Sequence, residues 1–284
     1  MPVMVGYDGS EVSERALQFG AEEASMRGLP LEIIAVWEQP TVDLGMGAGA
    51  AVDPAMSEVV ADQASGLANH AAENLQGSAL EVSAIALPGP AAAALVDRGK
   101  DADLLVVGSH GRGAVADFLL GGVSRQVATH ARCPTIIVRA GGEPRVVVGI
   151  DGSAQAGRAL DFAFDEASRR GWPLRVVHAW DVAVIGFDVD STTYPEGGIL
   201  DDVEGAETRL GAQVLSGHVA TYPDVEVEVR IVRGAAGRVL VDAGEDASLL
   251  VVGSRGRGGF TSLLLGSVSH KVIHHASCSV AVVH

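Results

Sequence analysis

The sequence predicts an α/β protein of two tandem domains, each a doubly wound, five-stranded parallel sheet with helices on both faces. Three observations carry this prediction. The chain repeats itself along its whole length. Within each repeat, short apolar runs alternate with segments of helical period. Finally, the 284-residue chain is 48% hydrophobic but only 4% aromatic. That Ala-, Val- and Leu-rich mix suits helices on a buried parallel sheet better than an aromatic-layered sandwich.

The repeat is explicit in three motifs. Val3-Met-Val-Gly-Tyr-Asp-Gly-Ser10 returns as Val146-Val-Val-Gly-Ile-Asp-Gly-Ser153. Asp101-Ala-Asp-Leu-Leu-Val-Val-Gly-Ser-His-Gly-Arg-Gly113 returns as Asp246-Ala-Ser-Leu-Leu-Val-Val-Gly-Ser-Arg-Gly-Arg-Gly258. Leu119-Leu-Gly-Gly-Val-Ser124 returns as Leu264-Leu-Gly-Ser-Val-Ser269, and the ends Cys133–Val138 and Cys278–Val283 also match. The same order at nearly constant offset means two copies of one unit. The domains are expected at 1–140 and 144–284, joined near Ala140-Gly-Gly-Glu-Pro144.

Each element of the first copy follows from its pattern. Val3 to Gly6 is a short apolar run, read as a buried strand. Glu11 to Arg27 has helical spacing (Ala16, Leu17, Ala21, Ala24) and stops at Gly28. Leu31 to Trp37 is the second strand. Thr41 to Val52 reads as a flexible insertion, and its counterpart Val182 to Gly198 is equally irregular. Asp53-Pro54 reads as an N-cap with proline at the first helical position, opening a helix to about Leu75. Leu80 to Leu87 is the third strand, Ala91 to Arg98 a short helix, and Leu104 to Val107 the fourth strand. A glycine-rich loop follows, Ser124 to His130 lies in the last helix, and Thr135 to Val138 is the fifth strand. Unalternating Val, Ile and Leu strands separated by helices mean parallel strands. Such sheets bind ligands beyond the carboxyl ends of the strands flanking the topological switch point. Asp8-Gly9-Ser10 and the glycine loop fall there.

A formal net charge of -16 works against nucleic acid and anionic membranes, since non-specific DNA binding depends on clustered Lys and Arg. An anionic ligand must instead be held by local backbone dipoles and a few placed cations. No basic n-region or signal-length apolar core opens the chain, and no apolar run approaches the roughly 18 residues of a membrane span. Cys133 and Cys278 are the only cysteines. Two do not make a disulfide framework, so a reducing cytoplasm is expected. Their equivalent positions before strand five point to packing.

The loop chemistry favours an anion. The second copy runs Gly253-Ser254-Arg255-Gly256-Arg257-Gly258-Gly259 and, further on, Gly266-Ser267-Val268. The first runs Gly108-Ser109-His110-Gly111-Arg112-Gly113 and Gly121-Gly122-Val123. Glycines allow positive φ and close backbone approach, so consecutive N–H groups can face a polyphosphate. The following helix adds its own orphan N–H groups and dipole. Ser267 adds a hydroxyl, Arg257 offsets charge, and Ser269 is a candidate cap. Asp8 and Asp151 follow strand one. Ser10 and Ser153 can cap the next helix, leaving these aspartates to accept from a ribose or an adenine edge.

Together these motifs resemble the universal stress protein family, in its tandem-domain, ATP-binding form. The family signature is Gly-x-x-Gly, nine residues, then Gly-Ser/Thr. Gly253, Gly256, Gly266 and Ser267 match fully, whereas Gly108, Gly111 and Gly121 match with Gly122 in place of Ser or Thr. The resemblance implies a Rossmann-like, adenine nucleotide alpha hydrolase-like fold and an ATP ligand, with Mg²⁺ as a candidate companion. It implies that Asp8 and Asp151 contact ribose or adenine, beside Gly6 and Gly149, and that the backbones of Val36 and Ala179 meet the adenine. The loops and the Gly122-Val123 and Ser267-Val268 turns would hold phosphates. Losing one hydroxyl at Gly122 weakens the first site by roughly 0.5–1.5 kcal/mol without abolishing it.

No Gly-Lys-Ser/Thr element follows the glycines, so a P-loop NTPase is excluded. No nucleophile–base pair recurs between the copies: His110 becomes Arg255, and Asp117 has no counterpart. His274 and His275 are adjacent on a helix and point apart, with only Cys278 near, so no metal site is expected. The leading expectation is a nucleotide-responsive regulator of stress or growth. A slow Mg²⁺-dependent ATPase or phosphotransferase and a nucleotide-free interaction scaffold are the alternatives. The apolar fifth strands are expected sheet edges that invite pairing, joining the halves as an internal pseudo-dimer and leaving a homodimer of whole chains open.

Overall fold

The computed structural model describes residues 1–39, 41–43, 49–51, 54–75, 79–111, 120–139, 141–181, 215, 217–257 and 264–284. Side chains are described outside 41–43, 49–51 and 54. The chain divides into two compact units, Met1–Arg139 and Ala140–His284.

The first unit contains β1 (Val3–Gly6), α1 (Glu11–Arg27), β2 (Leu31–Trp37), β3 (Thr41–Asp43), β4 (Gly49–Ala51) and α2 (Pro54–Glu73). It continues with β5 (Val82–Pro88), α3 (Ala91–Arg98), β6 (Leu104–Gly108), α4 (Gly122–His130) and β7 (Thr135–Val138). Its main sheet has the order β7-β6-β1-β2-β5, every pair parallel. The chain starts in the middle, runs outward through β2 and β5, then crosses back to β6 on the other side of β1. The switch point therefore lies between β1 and β6.

The second unit repeats the plan with β8 (Glu143–Ile150), α5 (Ala154–Arg170), β9 (Leu174–Trp180) and β10 (Val227–Arg233). α6 (Ala236–Ala243), β11 (Ala247–Gly253), α7 (Ser267–His275) and β12 (Ser279–Val283) complete it. Its order is β12-β11-β8-β9-β10, again all parallel.

The central strands are buried on both faces: Val3, Met4, Val5, Leu104, Leu105 and Val106 have no exposed surface. This explains their unalternating apolar pattern. The helix ends also follow the residues. Ser10 and Ser153 cap α1 and α5, accepting from Ser13 N–H at 3.2 Å and Ala156 N–H at 3.1 Å. Gly28 and Gly171 close the same helices in the left-handed region, at φ 64° and 62°.

Two elements depart from expectation. Within the expected flexible insertion β3 and β4 pair antiparallel, Thr41 opposite Ala51 and Asp43 opposite Gly49. The Gly/Ala composition hid it, because strands of three residues carry no periodic signal. β5 starts at Val82 rather than Leu80. α4, Gly122–His130, contains the expected Ser124–His130. The counterpart insertion at 182–198 and the expected cap Asp53 lie outside the described residues. No helix of the described residues is long and apolar enough to cross a membrane.

Cys133 and Cys278 are both buried free thiols. Burial pushes the Cys133 thiol up to about 11, where almost no thiolate exists at neutral pH. Native protein at pH 8 is therefore expected to leave its thiols unmodified by a chromogenic disulfide reagent, with both reacting once urea unfolds it. Rapid native labelling would refute the packing role.

Candidate functional site

Each unit builds its candidate site at the carboxyl ends of the two strands flanking the switch point. Asp8 follows β1 and Asp151 follows β8. In both copies the next glycine has positive φ, 74° at Gly9 and 76° at Gly152. This turn folds the chain back so that the aspartate accepts from the serine two residues on. Asp8 Oδ1 accepts from the amide of Ser10 at 3.0 Å and from its hydroxyl at 2.6 Å. Asp151 Oδ1 accepts from the amide of Ser153 at 2.9 Å. The serines do cap the helices as expected, but the aspartates are also tied into the protein.

The second oxygen of Asp151 accepts from the backbone N–H of Arg257 at 2.9 Å. The glycine loop thus closes onto the strand-one carboxylate. Gly256 lies so near Asp151 Oδ2 that no Cβ fits there, and a Cβ on Gly111 would stand 2.5 Å from Asp8 Oδ2. Each carboxylate oxygen has two lone pairs, so Asp8 and Asp151 keep capacity for a further donor.

The remaining motif glycines divide by role. A Cβ on Gly108 would meet Val12 Cγ1 at 2.9 Å, and one on Gly253 would meet the backbone of Gln155 at 2.9 Å. These glycines let α1 and α5 sit close on β6 and β11. Gly6 and Gly149 likewise make room for Leu95 and Leu240, at 3.0 and 2.6 Å from the missing Cβ. A Cβ on Gly121 would stand 3.1 Å from His110 Cα, and one on Gly266 3.4 Å from Arg255 Cα. The expectation that motif glycines turn through positive φ is corrected. Among the described residues, positive φ occurs at Gly9, Gly28, Gly89, Gly152, Gly171 and Gly234. Gly108, Gly111, Gly253 and Gly256 need a missing side chain, not a left-handed backbone.

The expectation of consecutive free amides is corrected in part. Gly121 N–H donates to Ser109 O at 2.8 Å, and Gly266 N–H to Ser254 O at 2.7 Å. These bonds pinch each loop shut. The donors left over are in the first turns of α4 and α7: Gly122 and Val123, Ser267 and Val268. By position they have no acceptor within the helix, and neither helix carries a side-chain cap. Gly122, Val123 and Ser267 are exposed.

Ser124 and Ser269 are buried rather than capping. Ser124 Oγ donates to Gly108 O at 2.6 Å and Ser269 Oγ to Ser254 O at 2.9 Å. They hold the open helix end against the strand end. Sequence reasoning missed this tie, although both serines recur at the same motif position.

Backbone alternation accounts for Val36. Ile34 O accepts from Tyr7 N–H at 2.9 Å. Two residues on, Val36 turns the same amide and carbonyl edge past the end of β1. Ala179 holds the corresponding place in β9. Beside it the copies differ: Ala35 is matched by His178, buried, whose Nδ1–H donates to Ile150 O at 2.8 Å. Ser109 and Ser254 are buried behind the loops, and Ser109 Oγ lies 3.1 Å from His110 Nδ1. Arg112, Gly113, Gly258 and Gly259 lie outside the described residues, as does Asp117.

Fold and site together define a tandem pair of Rossmann-like α/β domains, each facing a strand-end carboxylate with a pinched glycine loop and an uncapped helix N-terminus. The profile of the universal stress protein family matches residues 1–139 and again 144–284. The chain therefore belongs to the universal stress protein family. A universal stress protein of Mycobacterium tuberculosis strain H37Rv is 36% identical over 294 residues, covering 99% of this chain and 96% of the relative. One from Mycolicibacterium smegmatis is 35% identical over 296 residues, covering 99% and 96%. The crystal structure of a universal stress protein from Archaeoglobus fulgidus superposes with TM-score 0.68 at 21% identity, over 99% of this chain and 95% of that one. That last likeness concerns the fold.

Proposed function

We propose that each unit binds an adenine nucleotide, ATP in particular, and that occupancy makes the chain a nucleotide-responsive regulator of stress or growth. The observation that carries this reading is the doubled pairing of a strand-end carboxylate with an uncapped helix N-terminus across a glycine-rich loop. Asp8 and Asp151 suit a ribose or base donor. The first-turn amides of α4 and α7 suit phosphate oxygens. Val36 and Ala179 offer an unpaired backbone edge to adenine. The hydroxyls of Ser267 and the carboxylates are oxygen donors that fit a Mg²⁺ accompanying the phosphates. No nucleophile–base pair recurs in the two copies, so the reading is binding rather than turnover. Apolar β7 and β12 keep edge pairing of the halves, as an internal pseudo-dimer, part of the same proposal.

Heat-denaturing the purified chain and analysing the released small molecules tests it. Adenine nucleotide is expected in the supernatant, or binding upon its addition to stripped protein. Neither would overturn the reading.

The two sites should differ. A Cβ at Gly122 has nothing within 4 Å, so serine fits there without displacement. Gly122→Ser is expected to raise first-site affinity for ATP roughly two- to tenfold, from a hydrogen bond of about 0.5–1.5 kcal/mol. Calorimetric titration would show it; unchanged affinity would mean that Ser267 contacts no phosphate.

A further inference from the structure

The two units share one plan, yet they carry opposite charges at one sheltered place near the amino ends of their strands. Leu31 of β2 faces Val3 and Val82, and Leu174 of β9 faces Val146 and Val227, so the two strands hold equivalent positions. The next residue is Glu32 in the first unit and Arg175 in the second. β2 reads Leu-Glu-Ile-Ile-Ala-Val-Trp and β9 reads Leu-Arg-Val-Val-His-Ala-Trp, so this is their one acid-for-base exchange.

The partners of these side chains are inverted too. Arg98, the last residue of α3, donates to both Glu32 oxygens, each at 2.7 Å. Ala243 ends α6 at the same place and carries no charge. Arg175 instead donates to Glu228 Oε2 at 2.9 Å and to Asp246 Oδ1 at 3.0 Å. Glu228 stands in β10 where β5 has Ser83. The other oxygens of Glu228 and Asp246 accept from Arg230 and Arg145. The Glu32 and Arg175 side chains are only 12% and 5% exposed, so water solvates neither charge well.

Either strand would be mismatched in the other sheet. β2 beside β10 would bring Glu32 against Glu228 and Asp246, with Ala243 in place of Arg98. β9 beside β5 would bring Arg175 against Arg98, with Ser83 in place of Glu228. A poorly solvated charge that meets its like, or loses its partner, is strongly disfavoured. Repeated units are prone to such misassembly, because the Leu, Ile, Val and Trp of β2 and β9 discriminate little between the two sheets.

We propose that the inverted charges at Glu32 and Arg175 keep each second strand in its own sheet, rejecting the strand of the other repeat, from the same chain or a second one, as the units fold. The role belongs to assembly and is independent of any nucleotide.

Refolding of the full chain by dilution from urea, with no ligand added, tests this. Glu32→Arg with Ser83→Glu and Arg98→Ala gives the first unit the charges of the second, Asp101 already standing where Asp246 does. Arg175→Glu with Glu228→Ser and Ala243→Arg gives the second unit those of the first. All six together exchange the two sets and restore the difference between the sheets. Size-exclusion chromatography is expected to show roughly fivefold more misassembled, larger species in either triple variant, increasing with protein concentration. The sixfold variant should return to the wild-type profile. A purely local loss of stability predicts the opposite order, with six substitutions doing more harm than three. A triple variant that recovers no native protein supports the proposal if the sixfold variant recovers. Triple variants that refold as wild type does, or a sixfold variant no better than the triples, would overturn it.

Discussion

Gly256→Ala is expected to weaken ATP at the second site by roughly thirtyfold while the first site titrates normally, the consequence of forcing a methyl group into about 2 kcal/mol of overlap. The added Cβ would collide with Asp151 Oδ2. The collision can be relieved only by moving the loop, which breaks the 2.9 Å bond from Arg257 N–H to that oxygen, or by turning the carboxylate away from the cleft. Either change separates the ribose acceptor from the phosphate donors. Gly111→Ala should do the same to the first site, so the two variants together assign each calorimetric event to one half. Gly157→Ala is the control: a Cβ there meets nothing within 4 Å on α5, and binding should be unchanged while stability rises by up to about 1 kcal/mol. Two normal ATP sites in Gly256→Ala would show that the carboxylate and loop do not act together.

Glu166→Ala should destabilise the fold by about 3–5 kcal/mol, the largest stability loss expected here from one exposed-looking helix residue. Glu166 is fully buried and accepts from Arg170 Nε at 3.1 Å, the arginine itself only 5% exposed. Arg170 also lies 4.9 Å over the ring of Trp172. Removing the carboxylate takes the Glu166 charge away from a guanidinium that is almost wholly out of water. The first unit repeats the arrangement in Glu23 and Arg27, at 2.8 Å with Glu23 fully buried. Urea unfolding would measure the loss, with Trp172 fluorescence as the local probe. The pair Glu166→Leu with Arg170→Met should recover most of it, since an apolar replacement of a buried ion pair is commonly neutral or better. A single variant as stable as wild type would mean water reaches Arg170.

How legible each feature was depends on the range of the interaction behind it. Strand one, α1 with its serine cap and glycine stop, and the order of the five main strands follow from local pattern and repetition. Nothing in the sequence marks Glu166 and Glu23 as buried, because a burial that depends on what packs over the helix leaves no mark at i to i+4. The β3–β4 hairpin was too short to show a period.

The amino-acid sequence alone determined the doubled unit, the parallel sheet and the placing of Asp8, Asp151 and both glycine loops at the switch point. These rest on spacing, apolar runs and self-similarity, all of which are one-dimensional. Only the tertiary structure decided what the described glycines are for: Gly108 and Gly253 admit a helix, Gly111 and Gly256 admit a carboxylate, and among the described residues of the site Gly9 and Gly152 take a left-handed backbone. Only it showed which amides are already bonded and which remain open. The physical reason is that a missing Cβ looks the same in a sequence whatever atom comes to occupy its place, and that atom arrives from a distant part of the chain.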